Sequence, residues 1–473
     1  MDAVPGTGHD GDARVPLRDR LRLAFLTARG WALFVAGVVA LLLAWFLGRR
    51  ELVNISIFLL AAPLLSAAAV GLGRTRLHVR RGFAPDPVVA GSSTEVVLDL
   101  HHSSPLPAGT VLDEQLPADF GSAPSFASDD PADPDRAAGS RTGDGSATEY
   151  RYRLRPTHRG VYAVGPLRAR LTDPFGLAVR PIAVDRASPL TVVPPVLHLP
   201  STGVLGSTGT RGTATAHHQA TPENDDVMTR EYRDGDSLRR VHWPATARHQ
   251  TLMVRQEEFQ RTPRATFAVD SRPGPYQGSY VGFDAPAQIP NFLGRPGATT
   301  GCFDWVITAV VSIGAHLAGL GYELDVLDET GLPLGAAGAA PGHAGAGRFA
   351  GPDAAVDLQL MMAPVGLKPA AAHDGPADDA APAAGFGTGS GPLLLFTGAL
   401  DADQAEAWVH RIGTHRSVVA CVVASRPAAA VAATRVFRTS GWTALPTDPG
   451  TPLAETWLEM AAQERRTGPR VRS

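Results

Sequence analysis

A chain of 473 residues, 44% hydrophobic and 19% charged, with 50 Gly, 40 Pro, two Cys and a net charge of −3, has room for about three domains and too few cysteines for a disulfide-stapled scaffold. The near-neutral balance excludes a whole-chain nucleic-acid binder, which carries a marked basic excess. Of the 43 basic residues only Lys368 is a lysine, set in Val365-Gly366-Leu367-Lys368-Pro369; without a Gly-Lys-Ser/Thr loop the chain is not itself a P-loop ATPase.

Residues 30–48 run without a charge, enough at 1.5 Å per residue to cross the roughly 30 Å hydrocarbon layer of a bilayer. Residues 52–73 form a second such stretch, separated from the first by Arg49-Arg50-Glu51. The pair predicts a transmembrane helical hairpin over 30–73. A cleaved signal peptide would have a shorter apolar region and no second span. Nine arginines flank the outer ends of the pair against two in the connection, which predicts both termini and the soluble domains in the cytoplasm, with 1–29 as a cytoplasmic tail. Trp31 and Trp45 suit the two interfaces, Pro63 is tolerated in a membrane helix, and neither span carries an ionisable residue of the kind that lines a transport pathway.

Beyond the hairpin the hydrophobic period changes. Runs at 77–79, 96–100, 150–154, 161–164, 167–171 and 190–193, punctuated by Pro and Gly, predict an antiparallel β-sandwich-like domain over 74–200. Residues 118–148, rich in Ser, Asp, Pro, Ala and Gly, are expected as a disordered insertion. A linker and an Arg/Asp-rich segment occupy 201–263. From 264 to 473 strand patterns at 265–269, 322–327, 393–397 and 418–423 alternate with helical ones at 303–317, 402–412, 428–438 and 452–465. That alternation predicts a doubly wound α/β domain with low-complexity insertions at 336–350 and 370–391.

The most distinctive stretch is Thr229-Arg230-Glu231-Tyr232-Arg233-Asp234-Gly235-Asp236-Ser237-Leu238-Arg239-Arg240-Val241-His242-Trp243-Pro244-Ala245-Thr246-Ala247-Arg248. It resembles the signature of the bacterial family called domain of unknown function 58, an Arg-Glu-Tyr, Gly-Asp, Arg-Arg, Trp and Ala-Arg series. Two further stretches look like the same family: Arg159-Gly160-Val161-Tyr162-Ala163-Val164-Gly165-Pro166, and Asp173-Pro174-Phe175-Gly176-Leu177. The order of parts agrees as well. The resemblance implies a von Willebrand factor A-like fold for the last domain and a membrane-anchored, non-enzymatic adaptor beside a MoxR-type AAA+ ATPase, often with a transglutaminase-like membrane protein, in a chaperone-like or cell-envelope assembly. It implies no cofactor.

Within the signature, Arg230, Arg233, Arg239, Arg240, Arg248 and Arg255 alternate with Glu231, Asp234, Asp236, Glu257 and Glu258. Such a density suits an internal ion-pair network joining the two soluble domains, or a surface that captures a partner with Trp243 as an aromatic anchor. Domains of von Willebrand A type often bind a divalent metal through Asp-x-Ser-x-Ser after the first strand. Here the sequence reads Asp270-Ser271-Arg272-Pro273-Gly274, so two hydroxyl ligands are replaced, one of them by a cation, and Asp270 and Ser271 remain as a degenerate site expected to pair with an arginine. Cys302 and Cys421 are expected as buried thiols, and His101-His102 and His217-His218 as surface residues. Two other functions remain open at this stage: an enzyme with an unrecognised site acting on a phosphorylated or cell-wall precursor, and an envelope-facing binding module.

Overall fold

The computed structural model describes residues 25–72, 77–102, 109–117, 120–127, 147–202, 229–232, 241–255, 262–276, 299–334, 347–368, 386, 391–413 and 417–467. They fall into two compact units, one comprising the described residues up to Pro195 with Gln359–Gly366, the other the remainder.

The first unit opens with a two-residue strand β1 (Phe25–Leu26), followed by the apolar helices α1 (Ala28–Leu47) and α2 (Arg50–Leu72). Both are long and apolar enough to cross a membrane. The buried positions of α1 are Gly30, Gly37 and Ala44, spaced by seven and therefore on one seam. A Cβ on Gly37 would stand 2.8 Å from Leu60 Cγ, so the small residue is what lets α1 approach α2, whose own buried residues are Ser56, Pro63 and Ser66. The remaining surface is apolar and outward-facing, with Trp45 85% and Phe46 84% exposed.

Next come β2 (Leu77–Ala84), β3 (Val88–Val89), β4 (Thr94–His102), β5 (Val111–Glu114), β6 (Ser125–Ala127), β7 (Ala147–Leu154), β8 (Gly160–Val164), β9 (Leu167–Thr172), β10 (Ala178–Ala183) and β11 (Ser188–Val193). They form sheets of order β1-β10-β9-β5-β6, β3-β11-β8 and β2-β4-β7. All pairs are antiparallel except β3 with β11. Alternation sets the faces: Val96, Leu98 and Leu100 of β4 and Leu167, Ala169 and Leu171 of β9 point inward and join Leu112, Phe126, Tyr150, Val164 and Leu190 in one core. Composition alone assigns 118–148 to a disordered insertion, yet β6 lies inside it. Phe126 corrects that expectation, because its ring is buried 4.9 Å from that of Tyr150 and gives three residues enough apolar contact to hold an edge strand.

A buried ion cluster cross-links this core. The Arg81 side chain is fully buried, with Nη2 2.7 Å from Glu114 Oε1 and Nη1 2.9 Å from Asp185 Oδ2, and Nη1 also donates to Ser188 Oγ at 3.1 Å. One arginine thereby ties β2 to β5, β11 and the turn before it. Gly165 makes the space: its φ is +97°, and a Cβ there would lie 2.5 Å from Arg81 Nη2. With two carboxylates facing one guanidinium, burial pushes Glu114 up to about 7 against the pull of Arg81, and burial raises Asp185 too.

The second unit contains a ribbon of β12 (Thr229–Glu231) and β13 (Met253–Arg255) with helix α3 (Trp243–His249) between them. Its main sheet is built from β14 (Arg264–Val269), β15 (Glu323–Asp328), β16 (Arg348–Phe349), β17 (Leu393–Thr397), β18 (Val418–Val423) and β19 (Thr443–Thr447), in the order β16-β15-β14-β17-β18-β19. Every pair is parallel except β15 with edge strand β16. Helices α4 (Gly301–Gly319), α5 (Ala354–Met362, of which Gln359–Met362 count with the first unit), α6 (Ala402–Ile412), α7 (Val431–Thr439) and α8 (Leu453–Thr467) alternate with the strands, as the change of period requires in a mixed α/β sheet. By length and composition α4 could also cross a membrane, but 61% of its most apolar window is buried within the protein. Phe349 and Phe386 fall in the segments read as low-complexity insertions, and both are buried, Phe386 with its ring 6.0 Å from that of Trp408.

Because Glu114 binds its proton more tightly folded than unfolded, its contribution to stability is full below about 4.5 and is lost as pH rises through about 7. Urea unfolding of the first unit, followed by limited proteolysis, should show stability falling from pH 5 to pH 8 by about 1–3 kcal/mol. Glu114→Gln should remove much of that slope.

Candidate functional site

In an open α/β sheet the carboxyl ends of the strands around the point where strand order reverses form the natural place for a ligand. Here β14 is that strand, with β15 on one side and β17 on the other. Asp270 follows β14, Asp328 and Glu329 close β15, and Thr397 ends β17; all four are buried.

Each carboxylate is engaged by the protein's own donors. Asp270 Oδ1 accepts from Arg272 Nε at 2.8 Å and from the Arg272 amide at 3.1 Å, while Oδ2 accepts from Arg272 Nη2 at 2.6 Å and Thr397 Oγ1 at 3.1 Å. Lys368 Nζ bridges Asp328 Oδ2 at 2.8 Å and Glu329 Oε1 at 2.5 Å. Glu329 Oε2 accepts from Ser271 Oγ at 2.8 Å and the Ser271 amide at 3.2 Å. Asp328 Oδ1 accepts from the Thr330 hydroxyl at 2.6 Å and from the amides of Thr330 and Leu332. Behind them Tyr276 donates to the Asp270 carbonyl at 2.8 Å, and Arg411 of α6 donates to the Glu329 carbonyl at 3.0 Å.

Electrostatics follow this geometry. Burial alone would raise Glu329, but hydrogen bonding and attraction from Lys368 outweigh it and hold the carboxyl at about 2. Burial works against Lys368 and Arg272 as cations, and their carboxylate partners reverse that and hold both above their ordinary values. Burial pushes the Tyr276 phenol far up. The donor set does not fit a divalent cation, because the Arg272 guanidinium grips both oxygens of Asp270 and Lys368 bridges the other two carboxylates. Among the described residues no group of three or more His, Cys, Asp or Glu is arranged to hold a metal. Chemically the arrangement is a saturated ion cluster that pins the ends of three strands.

The signature segment folds as a small separate feature. Thr229 pairs with Arg255, Arg230 with Val254 and Glu231 with Met253; the Tyr232 amide donates to the Leu252 carbonyl at 2.8 Å. Helix α3 starts where His242 Nδ1 accepts from the Ala245 amide at 3.2 Å and Pro244 occupies the first turn, and Thr246 Oγ1 accepts from the Met253 amide at 3.0 Å. Trp243 is 68% exposed on this helix, and Ala247, Arg248 and Glu231 are exposed too. Gly235, Asp236, Arg239 and Arg240 lie outside the described residues, as do Arg233, Asp234, Glu257 and Glu258.

The two motifs of the first unit have separate tasks. Arg159 is buried and donates to the Val365 carbonyl at 2.8 Å, and burial brings its guanidinium down to about 9. Tyr162 donates to the His158 carbonyl at 3.0 Å, and a Cβ on Gly160 would meet its ring at 3.3 Å. Gly165-Pro166 makes room for Arg81. Asp173-Pro174-Phe175-Gly176 is a turn in which Asp173 Oδ1 accepts from the Ala178 amide at 2.6 Å and Oδ2 from the Phe175 amide at 3.0 Å. Cys302 and Cys421 are buried, with Cys421 Sγ 3.2 Å from Thr447 Oγ1, and burial pushes that thiol up to about 12.

Lys368, Asp328, Glu329, Thr397 and Arg411 carry no motif and were invisible in the pattern of the chain. The one available signal was the survival of a single lysine among arginines. Since the Glu329 carboxyl is held low, its share of stability is present above about 4.5 and lost as pH falls through about 2. Lys368→Met should destabilise the second unit by about 1–3 kcal/mol in chemical denaturation at pH 7, and the difference should shrink as the solution is acidified below 4.5.

Among known proteins, residues 228–282 match the family model "Protein of unknown function DUF58". That segment contains β12, α3, β13, β14 and Asp270, and the match supports a relation to that family. No curated protein gives a significant match. A solved structure, the alkylpurine DNA glycosylase AlkC of Pseudomonas fluorescens bound to DNA containing an abasic site analog, is 14% identical over 30% of this chain and 38% of that one, with a TM-score of 0.16. A likeness at that score carries no argument about fold or activity.

Proposed function

We propose that this chain is a membrane-anchored, non-enzymatic adaptor whose second unit presents the signature segment to a protein partner. The observation that carries the reading is the saturation of the carboxyl edge: all six carboxylate oxygens of Asp270, Asp328 and Glu329 accept hydrogen bonds from the chain itself. A general base or a metal ligand would have to be released from such a network before it could act. Trp243, exposed on the helix of the family-matched segment, is the type of side chain that anchors protein interfaces. On this reading the second unit is von Willebrand factor A-like with its metal position closed by Arg272, and the β-rich unit is sandwich-like. The excess of arginine at the outer ends of the hairpin supports a cytoplasmic placement of both units. The partner class is a MoxR-type AAA+ ATPase, with a transglutaminase-like membrane protein as a further associate; the chain's lack of a Gly-Lys-Ser/Thr loop is consistent with nucleotide hydrolysis being the partner's task.

Affinity capture of the full chain from native membranes in the presence of ATP should recover a AAA+ protein, and Trp243→Ala should reduce its yield severalfold while leaving expression unchanged. Repeated recovery without any AAA+ protein, under conditions that keep such hexamers assembled, would contradict the proposal.

A further inference from the structure

The turn Asp173-Pro174-Phe175-Gly176 leaves its aromatic side chain outside. In the strands and turns from β2 to β11 the large apolar side chains left exposed among the described residues are Val161 and Phe175, and Phe175 is 76% exposed. An apolar ring held at the tip of a rigid polar turn calls for an apolar surrounding.

Its position says which one. Thr27, the residue that caps α1, donates its amide to the Leu177 carbonyl at 2.9 Å and its hydroxyl to the Gly176 carbonyl at 2.6 Å, while the same hydroxyl accepts from the Gly30 amide. Gly30 lies against the turn so closely that a Cβ there would be 2.1 Å from the Leu177 carbonyl oxygen. From β10, just after this turn, Arg180 Nη1 donates to the Val70 and Gly71 carbonyls at 3.3 and 2.9 Å, at the end of α2. Strand β1 pairs with β10 immediately before the chain enters α1. The β9–β10 hairpin is therefore fastened to both outer ends of the apolar helices. Those ends also bring Arg29, whose Nη1 lies 4.0 Å from where a Cβ on Gly176 would stand, and Trp31, which is 55% exposed.

We infer that Phe175 is a membrane-interface wedge: it inserts among lipid headgroups at the level of Thr27 and Trp31, so that the β-rich unit rests on the bilayer as well as being tethered to it. This rests on the membrane-anchored reading of α1 and α2. Aromatic rings and arginines at one level are the side chains that favour this zone, where a ring meets acyl chains and a guanidinium meets phosphate. The Asp173 carboxylate turns inward onto two amides of its own turn, which keeps its charge from opposing the insertion.

The test uses the full chain in phosphatidylcholine and phosphatidylglycerol vesicles, with a fluorescent thiol probe on Phe175→Cys or, separately, on Val39→Cys, which lies near the middle of α1 and is 48% exposed. Cys302 and Cys421 are buried and supply little background. Nitroxide lipids labelled at the top of the acyl chain should abolish most of the emission at position 175, with little loss to aqueous iodide. Lipids labelled near the chain end should do the same at position 39. Iodide quenching at 175 without nitroxide quenching, beside deep quenching at 39, would overturn the wedge and leave the anchor standing. Loss of deep quenching at 39 would overturn both.

Discussion

A helix end cannot leave its backbone groups without partners, and this constraint is most severe where a helix meets a membrane. In this chain the amide and hydroxyl of Thr27 at the start of α1 and the carbonyls of Val70 and Gly71 at the end of α2 are satisfied by the β9–β10 hairpin, through the Leu177 and Gly176 carbonyls and Arg180. The consequence reaches outward. Because β10 also pairs with β1 and β9, and β9 with β5, the helix ends and the five-stranded sheet form one hydrogen-bonded body. Gly30 and Gly176 follow from it, one by close approach and the other by its positive φ of 68°.

The same economy governs the charged interior of each unit. Arg81 is shared by Glu114 and Asp185, and Lys368 by Asp328 and Glu329. The two clusters differ in balance. One guanidinium facing two carboxylates leaves Glu114 easy to protonate, whereas Lys368 is supplemented by Arg272 on Asp270 and by amides of the strand ends, and Glu329 stays ionised. Buried networks of this kind gain in specificity of arrangement what desolvation takes from stability.

Much of the architecture was legible because it is periodic. Uncharged runs gave α1 and α2 to within two residues, alternation gave β4 and β9, and the strand-helix rhythm gave β14, β15, β17 and β18 of the six-stranded sheet, though not its edge strands β16 and β19, with Phe303, Val306, Ile307, Val310 and Leu317 on the inner face of α4. What escaped depends on single residues. Phe126, Phe349 and Phe386 are buried although they fall in segments whose composition reads as filler, and no window average registers one ring. Lys368 joins Asp328 across 40 positions and Arg81 joins Glu114 across 33. Pairings at such separations leave no local trace. The motif residues Gly165 and Asp173 were legible as a resemblance, but their reasons, room for a guanidinium and closure of a turn, needed coordinates.

The fastening of the β9–β10 hairpin to the apolar helices is tested most directly by hydrogen exchange on the full chain in vesicles, comparing the parent with Gly30→Val. The added side chain must displace the Leu177 carbonyl. The amides of Thr27 and Gly176 should then exchange about tenfold faster or more, while those of β4 keep their protection. Unchanged protection at Thr27 would contradict the fastening, and with it the view that the β-rich unit is held at the membrane surface.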